Sequence, residues 1–186
     1  MKKLMFLMLV ICSINLGSAQ TTVGDATLPN TFTFEDHTLV LNGAGMREKF
    51  WIDLYAAGLY LKAKSADANK IVAASEPMAI KLNIVSKMVS SEKMIDAIKE
   101  GFEKSTNGNT APIASEIKEV IGFLQEEIKK GDVFDIIHAP GKGVVLIKNG
   151  QMKGQIEGME FKKALFGIWL ANDPADGDLK DAMLGK

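Results

Sequence analysis

The segment that most constrains the fold is residues 39–62, LVLNGAGMREKFWIDLYAAGLYLK, which joins a glycine-rich stretch to a long, mostly apolar run. From about residue 46 its alternation predicts a single strand that crosses a domain, with Arg47, Trp51 and Tyr55 on one face. Apolar residues occupy both faces, so we expect both faces to be covered. The face that carries Arg47 then borders a core or a cleft, where a guanidinium requires an acceptor.

The glycines of this segment predict two local features. Residues 42–45, Asn-Gly-Ala-Gly, are expected to end a short strand at 39–41, because closely spaced glycines allow a sharp turn or the approach of a ligand. Gly58, within the long strand, predicts a bulge or a close backbone contact.

Periodicity along the rest of the chain predicts an α+β domain. We expect strands near residues 31–35, 78–85, 133–138, 144–148 and 151–157, with a hairpin turn at Asn149 and Gly150. We expect helices at residues 65–74, 90–104, 112–130 and 161–170, and a last helical turn to 184 that Asp178 caps. This order is typical of a large antiparallel sheet with helices on one side.

The N-terminus has the pattern of an export signal. A basic start, an apolar run and small residues before Gln20 predict a signal peptide at residues 1–19, followed by a flexible arm at 20–30 and one domain at 31–186. Cleavage after Ala19 gives a periplasmic or secreted protein. A retained anchor and a lipoprotein leader at Cys12 are the less favoured alternatives, since the bulky Ile11 precedes that cysteine.

Composition argues against several classes of function. The chain has 22 basic and 23 acidic residues without basic clusters, which argues against a nucleic-acid partner. The expected mature chain has no cysteine and no segment long enough to span a membrane. His37 and His138 have no ligand-like spacing and are expected at the surface or in loops, so we expect no metal and no cofactor.

The candidate ligand-binding residues are Arg47, Trp51 and Tyr55. A forked cation beside aromatic walls suits a small hydrophobic or amphipathic ligand with an anionic head. The alternative is a structural ion pair of Arg47 with Glu48 or Asp53. A hydrolase is disfavoured, because neither a nucleophile elbow nor a triad is evident.

Motifs at both ends of the domain resemble those of the chalcone isomerase-like family. The first is Gly43-Ala44-Gly45-Met46-Arg47 followed by residues 55–61, YAAGLYL. Residues 143–145, 149–150, 154–158 and 164–170 are similar to the bacterial, exported branch of that family. The resemblance spans about residues 31–185 and implies an open-faced β-sandwich, in which a large antiparallel sheet is backed by a layer of helices beside a ligand cleft.

The same resemblance separates catalysis from binding. In the plant enzymes of this family the corner arginine holds the substrate phenolate, while a strand threonine and a tyrosine near the helices organise water. Arg47 matches the arginine, but Tyr55 replaces the threonine and the second tyrosine has no counterpart. Non-catalytic members bind fatty acids through the arginine. The resemblance therefore implies a fatty-acid or similar binding protein.

Two further hypotheses stay open from the sequence. The first is an intramolecular lyase, an isomerase in which Arg47 stabilises an oxyanion as the one candidate catalytic residue. The second is a structural or interaction protein of the cell envelope. The oligomeric state has no signal in the sequence.

Overall fold

The structure, a computed structural model, describes residues 19–186. The predicted signal peptide lies outside the described residues except for Ala19, and it stays a prediction. Within residues 19–186, no helix combines the length and the apolar character needed to cross a bilayer. The same residues contain no group of three or more His, Cys, Asp or Glu side chains arranged to hold a metal ion.

Seven antiparallel strands form one sheet in which each strand pairs with the next along the chain. Their bounds are β3 Thr31–Phe34, β4 His37–Lys49, β5 Ile52–Leu61, β6 Met78–Ile84, β7 Val133–Ala139, β8 Gly143–Lys148 and β9 Gln151–Ile156. The predicted turn between β8 and β9 is confirmed, since Asn149 and Gly150 have φ of 51° and 77°.

Helices cover one face of this sheet. Their bounds are α1 Ala68–Ala73, α2 Ser91–Ser105, a short 3₁₀ turn Ala111–Ile113, α3 Ala114–Phe123, α4 Met159–Leu170 and α5 Gly177–Met183. The main core lies between these helices and the inward face of the strands, where Leu59, Ile80 and Phe161 are fully buried. The predicted α+β architecture, an antiparallel sheet backed by helices, is confirmed.

The opposite face of the sheet is partly covered by the N-terminal segment. Residues 20–30, expected as a flexible arm, form instead a β-hairpin of β1 Gln20–Val23 and β2 Ala26–Pro29. Leu28 is fully buried and contacts the sheet at Gly58, while Tyr60 donates a 2.9 Å hydrogen bond to the carbonyl of Pro29. Burial of Leu28 stabilises this hairpin, although the polar composition of the segment alone suggests that it is unstructured.

The prediction of one long strand after a glycine break was wrong in both parts. β4 continues through Gly43 and Gly45, with a shift in strand register between Leu41 and Gly43. The chain turns later, at Phe50 and Trp51, to begin β5. A Cβ at Gly43 would lie 2.1 Å from the carbonyl oxygen of Ala182 in α5. The two glycines therefore provide the surface on which α5 packs, rather than a turn or a ligand contact.

The predicted helix at residues 112–130 ends early, at Phe123. Residues 124–132 form a loop in which Ile128 is buried and the ammonium of Lys148 donates to the carbonyl of Glu127. These tertiary contacts direct residues 124–132 toward the start of β7. They outweigh the helical periodicity of this segment. Asp176, rather than the predicted Asp178, caps α5 by accepting a hydrogen bond from the amide of Leu179 at 2.9 Å.

His138 also differs from its expected place. It lies on β7 with 3% of its surface exposed, and its Nδ1 is 3.2 Å from the carbonyl oxygen of Gly143. Burial, together with the nearby Lys162 ammonium, lowers the pKa of His138. The prediction of a surface or loop histidine was therefore wrong at this position.

Candidate functional site

A cavity of about 440 Å³ lies at the end of the sheet where the β4–β5 hairpin meets α2 and α4. α2 and α4 pack closely, because Gly101 has no side chain and Ile168 fills the space that a Cβ would take. The inner wall consists of apolar side chains and one hydroxyl-bearing ring: Leu54, Tyr55, Val89, Met94, Ile98, Ile168 and Trp169. A volume in this range and a mainly apolar lining are typical of small-molecule sites.

Strand pairing places Arg47 and Tyr55 together in this cavity. Arg47 on β4 is the cross-strand partner of Tyr55 on β5, so both side chains leave the same face of the sheet. Both residues line the cavity. The sequence correctly grouped these two residues on one face, but for a different reason, since they lie on neighbouring strands and not on one.

Arg47 is held by the segment that leads into α5. Its Nη1 donates to the carboxylate of Asp176 at 3.1 Å and to the carbonyl oxygen of Ala175. The partner is therefore Asp176, and the predicted alternatives Glu48 and Asp53 were wrong. Among the described residues, neither Nε nor Nη2 of Arg47 has an acceptor, so these donors remain for a ligand.

Tyr55 presents its hydroxyl within the apolar wall. The indole Nε1 of Trp169 donates a 3.1 Å hydrogen bond to the Tyr55 oxygen, and both side chains are buried. Burial raises the pKa of Tyr55, although the bond from Trp169 and the charge of Arg47 act in the opposite direction. A neutral tyrosine that accepts from Trp169 keeps its own proton as a donor toward the cavity.

Trp169 was missed as a site residue by sequence reasoning. It belongs to the helix predicted at residues 161–170, and it is only 2% exposed. Its helical spacing gave no sign that its indole nitrogen reaches β5, because that contact joins residues 114 positions apart. A buried tryptophan requires a hydrogen-bond acceptor, which was the signal available in the sequence.

Trp51, predicted as a cleft wall beside Arg47, lies in the turn between β4 and β5. Its side chain is 95% exposed and is not part of the cavity lining, although its neighbours Phe50 and Ile52 are. The assignment to the Arg47 face failed because it assumed an uninterrupted strand. Participation of Trp51 in ligand binding stays a prediction.

The cavity mouth carries mixed charge. Lys49, Lys93 and Lys104 lie there with Asp96 and Glu100. Lys104 pairs with Glu100 at 3.1 Å, and Lys93 donates to the carbonyl of Met88 at 3.1 Å. The cavity mouth thus combines three lysines with two carboxylates.

A second cavity, of about 40 Å³, lies between α2, α3 and the sheet. It shares Met94 and Ile98 with the larger cavity. Those two side chains therefore lie between the two cavities.

The family match agrees with this arrangement of sheet, helices and cavity. The sequence profile of the family described as chalcone isomerase-like matches residues 20–185, which is nearly all of the described chain. The protein belongs to the chalcone isomerase-like family. The match includes the N-terminal hairpin as well as the seven-stranded sheet.

A solved structure shares this chalcone isomerase-like fold. The crystal structure of a fatty-acid binding protein from Arabidopsis thaliana aligns with a TM-score of 0.67 over 86% of this chain and 91% of that chain. The aligned sequences are 15% identical, so the likeness establishes the fold. No curated protein sequence matches the chain significantly.

Proposed function

We propose that this protein binds an amphipathic anion, such as a fatty acid, in the cavity beside Arg47, without catalysis. The observation that carries the proposal is the placement of unused donors of Arg47 and of the Tyr55 hydroxyl in an apolar cavity of about 440 Å³. Polar donors converge at one place while the other walls are apolar, which is the distribution that an amphipathic anion requires.

The ligand head is expected at Arg47 and Tyr55. The Nε and Nη2 groups of Arg47 form a fork suited to a carboxylate, and the Tyr55 hydroxyl adds a neutral donor. The acyl chain then follows Val89 toward Met94 and Ile98, where burial of each methylene contributes about 0.8 kcal/mol. The existing pair with Asp176 lowers the net attraction of Arg47 for an anion, so the apolar contacts supply most of the affinity.

Family membership and the neighbouring fold support this proposal. The structure of similar fold is that of a fatty-acid binding protein, although the low identity transfers no residue role. The N-terminal sequence supports the further proposal that the protein is exported and acts in the periplasm or outside the cell.

One observation favours a second candidate, a structural or interaction role. The ion pair between Arg47 and Asp176 satisfies part of the guanidinium without any ligand, and both side chains are mostly buried, at 17% and 15% exposure. In that role the Arg47 pair would hold α5 against β4, and the cavity would stay unused.

A binding measurement separates these two functions. The protein is delipidated, and the affinity for dodecanoate is measured by calorimetry for the wild type and for the variants Arg47→Ala and Ala97→Trp. Ala97 lies exposed on α2 at the cavity lining, so a bulky side chain there blocks the cavity with little effect on the core. We expect Arg47→Ala to weaken binding about tenfold or more, since hydrogen bonds to a charged group contribute roughly 1.5–3 kcal/mol.

The matched control is Lys142→Ala. It removes one positive charge at an exposed pair with Glu35, outside the cavity lining, and should leave the affinity unchanged. Failure of the wild type to bind dodecanoate, or equal affinity in the wild type and the Ala97→Trp variant, would contradict the proposal and favour the interaction role.

A further inference from the structure

Exposed apolar side chains are concentrated at the mouth of the cavity. Five large hydrophobic side chains are exposed in residues 19–186, and four of them lie on the β4–β5 turn or beside it: Phe50, Trp51, Ile52 and Met88, with exposures of 77%, 95%, 41% and 51%. Phe50, Ile52 and Met88 also line the cavity mouth. We call these four residues the mouth patch. The fifth residue, Met152, lies on β9.

The turn within the mouth patch is strained. Phe50 and Trp51 have φ of 52° and 62°, the left-handed values that a two-residue hairpin turn requires at both positions. The hairpin between β8 and β9 meets the same requirement with Asn149 and Gly150, the residues that favour it. A left-handed conformation is unfavourable for bulky residues. Because both rings are exposed, packing within residues 19–186 does not offset the strain.

Strain of this kind at an exposed site indicates a function for the aromatic side chains. The area of the mouth patch limits the choice of partner. One aromatic side chain offers on the order of 150–250 Å², so the patch presents a few hundred Å². That is below the roughly 800 Å² per partner of a standard protein interface. A second copy of this chain or a stable protein partner is therefore a poor match.

A phospholipid bilayer matches the patch better. Tryptophan and phenylalanine at a hairpin tip suit insertion at the membrane–water interface, where aromatic rings concentrate. Lys49 lies 5.9 Å from the centre of the Phe50 ring, and Lys93 donates to Met88. Lys49 can extend its ammonium group toward lipid phosphates while its stem packs against Phe50, whereas Lys93 must first release its bond to Met88.

We propose that the Phe50–Trp51 tip docks the protein on a bilayer surface with the cavity mouth facing the lipid. Docking in this orientation gives an amphipathic ligand a path between membrane and cavity without crossing water. The ligand path rests on the proposed function, whereas docking itself requires only the mouth patch.

The test uses the delipidated full-length mature chain and vesicles of phosphatidylcholine and phosphatidylglycerol in equal parts. Co-flotation measures binding for the wild type, for the double variant Phe50→Asn with Trp51→Gly, and for the control Met152→Ser. The double variant installs the favoured turn sequence, so it should fold and melt at a higher temperature than the wild type. We expect it to partition onto vesicles at least about tenfold more weakly, while Met152→Ser partitions as the wild type does.

Trp51 also supplies a direct signal. The chain has two tryptophans, and Trp169 is already buried, so a blue shift of emission on vesicle binding reports insertion of Trp51. Absence of co-flotation, equal partitioning of the double variant, or a patch-dependent dimer in the absence of lipid would overturn docking. Because the vesicle experiment contains no dodecanoate, a failure to dock on the bilayer can be distinguished from a failure of the cavity to bind a ligand.

Discussion

The indole nitrogen of Trp169 donates a 3.1 Å hydrogen bond to the hydroxyl oxygen of Tyr55, which joins α4 to β5 inside the cavity. Both side chains are almost fully buried. The bond occupies an acceptor position of the Tyr55 hydroxyl and leaves its proton free for an acceptor in the cavity, which is where a ligand carboxylate is expected.

Substitution of Tyr55 by Phe tests this arrangement. We expect the affinity for dodecanoate to fall about tenfold, since a hydrogen bond to a charged group is lost. The stability should fall by about 1–3 kcal/mol, because the indole N–H of Trp169 is left buried without an acceptor. Calorimetry and urea unfolding measure the two effects.

Trp169→Phe is the paired variant. It removes the indole donor but keeps the Tyr55 hydroxyl, so we expect a smaller loss of affinity than for Tyr55→Phe. Equal losses of affinity in the two variants would mean that the hydroxyl does not contact the ligand.

Asp176→Asn tests whether the ion pair of Arg47 competes with a ligand. Asparagine can still cap α5 by accepting from the amide of Leu179, but it removes the negative charge beside Arg47. We expect the affinity for dodecanoate to rise several-fold. The stability should fall by about 1–3 kcal/mol, because the pair is mostly buried, although Arg47 keeps the carbonyl oxygen of Ala175 as an acceptor. Calorimetry and urea unfolding again provide the readouts.

The control for Asp176→Asn is Asp178→Asn, which changes the same charge at an exposed position of the same helix. It should leave the affinity nearly unchanged. A loss of affinity in Asp176→Asn would contradict competition and would indicate that the pair holds Arg47 in its binding position.

The sequence predicted the sheet and most of the helices because their apolar periodicity is local. Strands β6 to β9 and helices α2 and α4 agree with the prediction to within two residues. Prediction from local periodicity fails where tertiary contacts determine the backbone conformation. The turn at Phe50 and Trp51 lacks the glycine or asparagine that marks such turns. The alternating pattern of side chains therefore predicted one strand across this turn.

The candidate site was predictable only in part for the same reason. Arg47 and Tyr55 do share one face of the sheet, although they are cross-strand partners on β4 and β5 and not members of the single strand that was predicted. Asp176 and Trp169 lie 129 and 114 positions away from their partners, and a single sequence does not identify the partner of such a side chain, even where it indicates that one is needed. The misplaced Trp51 followed directly from the missed turn.

Gly43→Ala tests the contact between β4 and α5. A Cβ there would meet the carbonyl oxygens of Ala182 and Met183 at 2.1 Å and 2.9 Å, and backbone atoms move less readily than side chains. We expect a loss of about 1–3 kcal/mol in the free energy of unfolding, measured with urea. The control is Gly122→Ala in α3, where a Cβ would meet no atom within 4 Å apart from its chain neighbours and its own helix backbone. Alanine should stabilise the helix there by about 0.5–1 kcal/mol. A neutral result for Gly43→Ala would show that α5 does not pack on this glycine.

Lys162 is fully buried in α4, and its ammonium donates to the carbonyl oxygens of Ile71, Val72 and Ala74 at the end of α1. Burial lowers the pKa of Lys162 from 10.5 to about 8, with a smaller contribution from Lys163. His138 is another titratable group close to this ammonium. Between pH 8 and 10.5 the unfolded chain thus holds a proton that the folded chain has released.

The expected consequence is that the stability of the wild type relative to Lys162→Met rises with pH across this window, by as much as roughly 3 kcal/mol. The unfolded state binds more protons there, so raising the pH favours the folded state. Urea unfolding of both proteins from pH 7 to 10.5 measures the difference, in which the titration of all other lysines cancels. A stability difference between the two proteins that does not change with pH would contradict this prediction. It would mean that the three carbonyl acceptors fully compensate for the lost hydration of the ammonium, and that Lys162 keeps its charge in the folded protein.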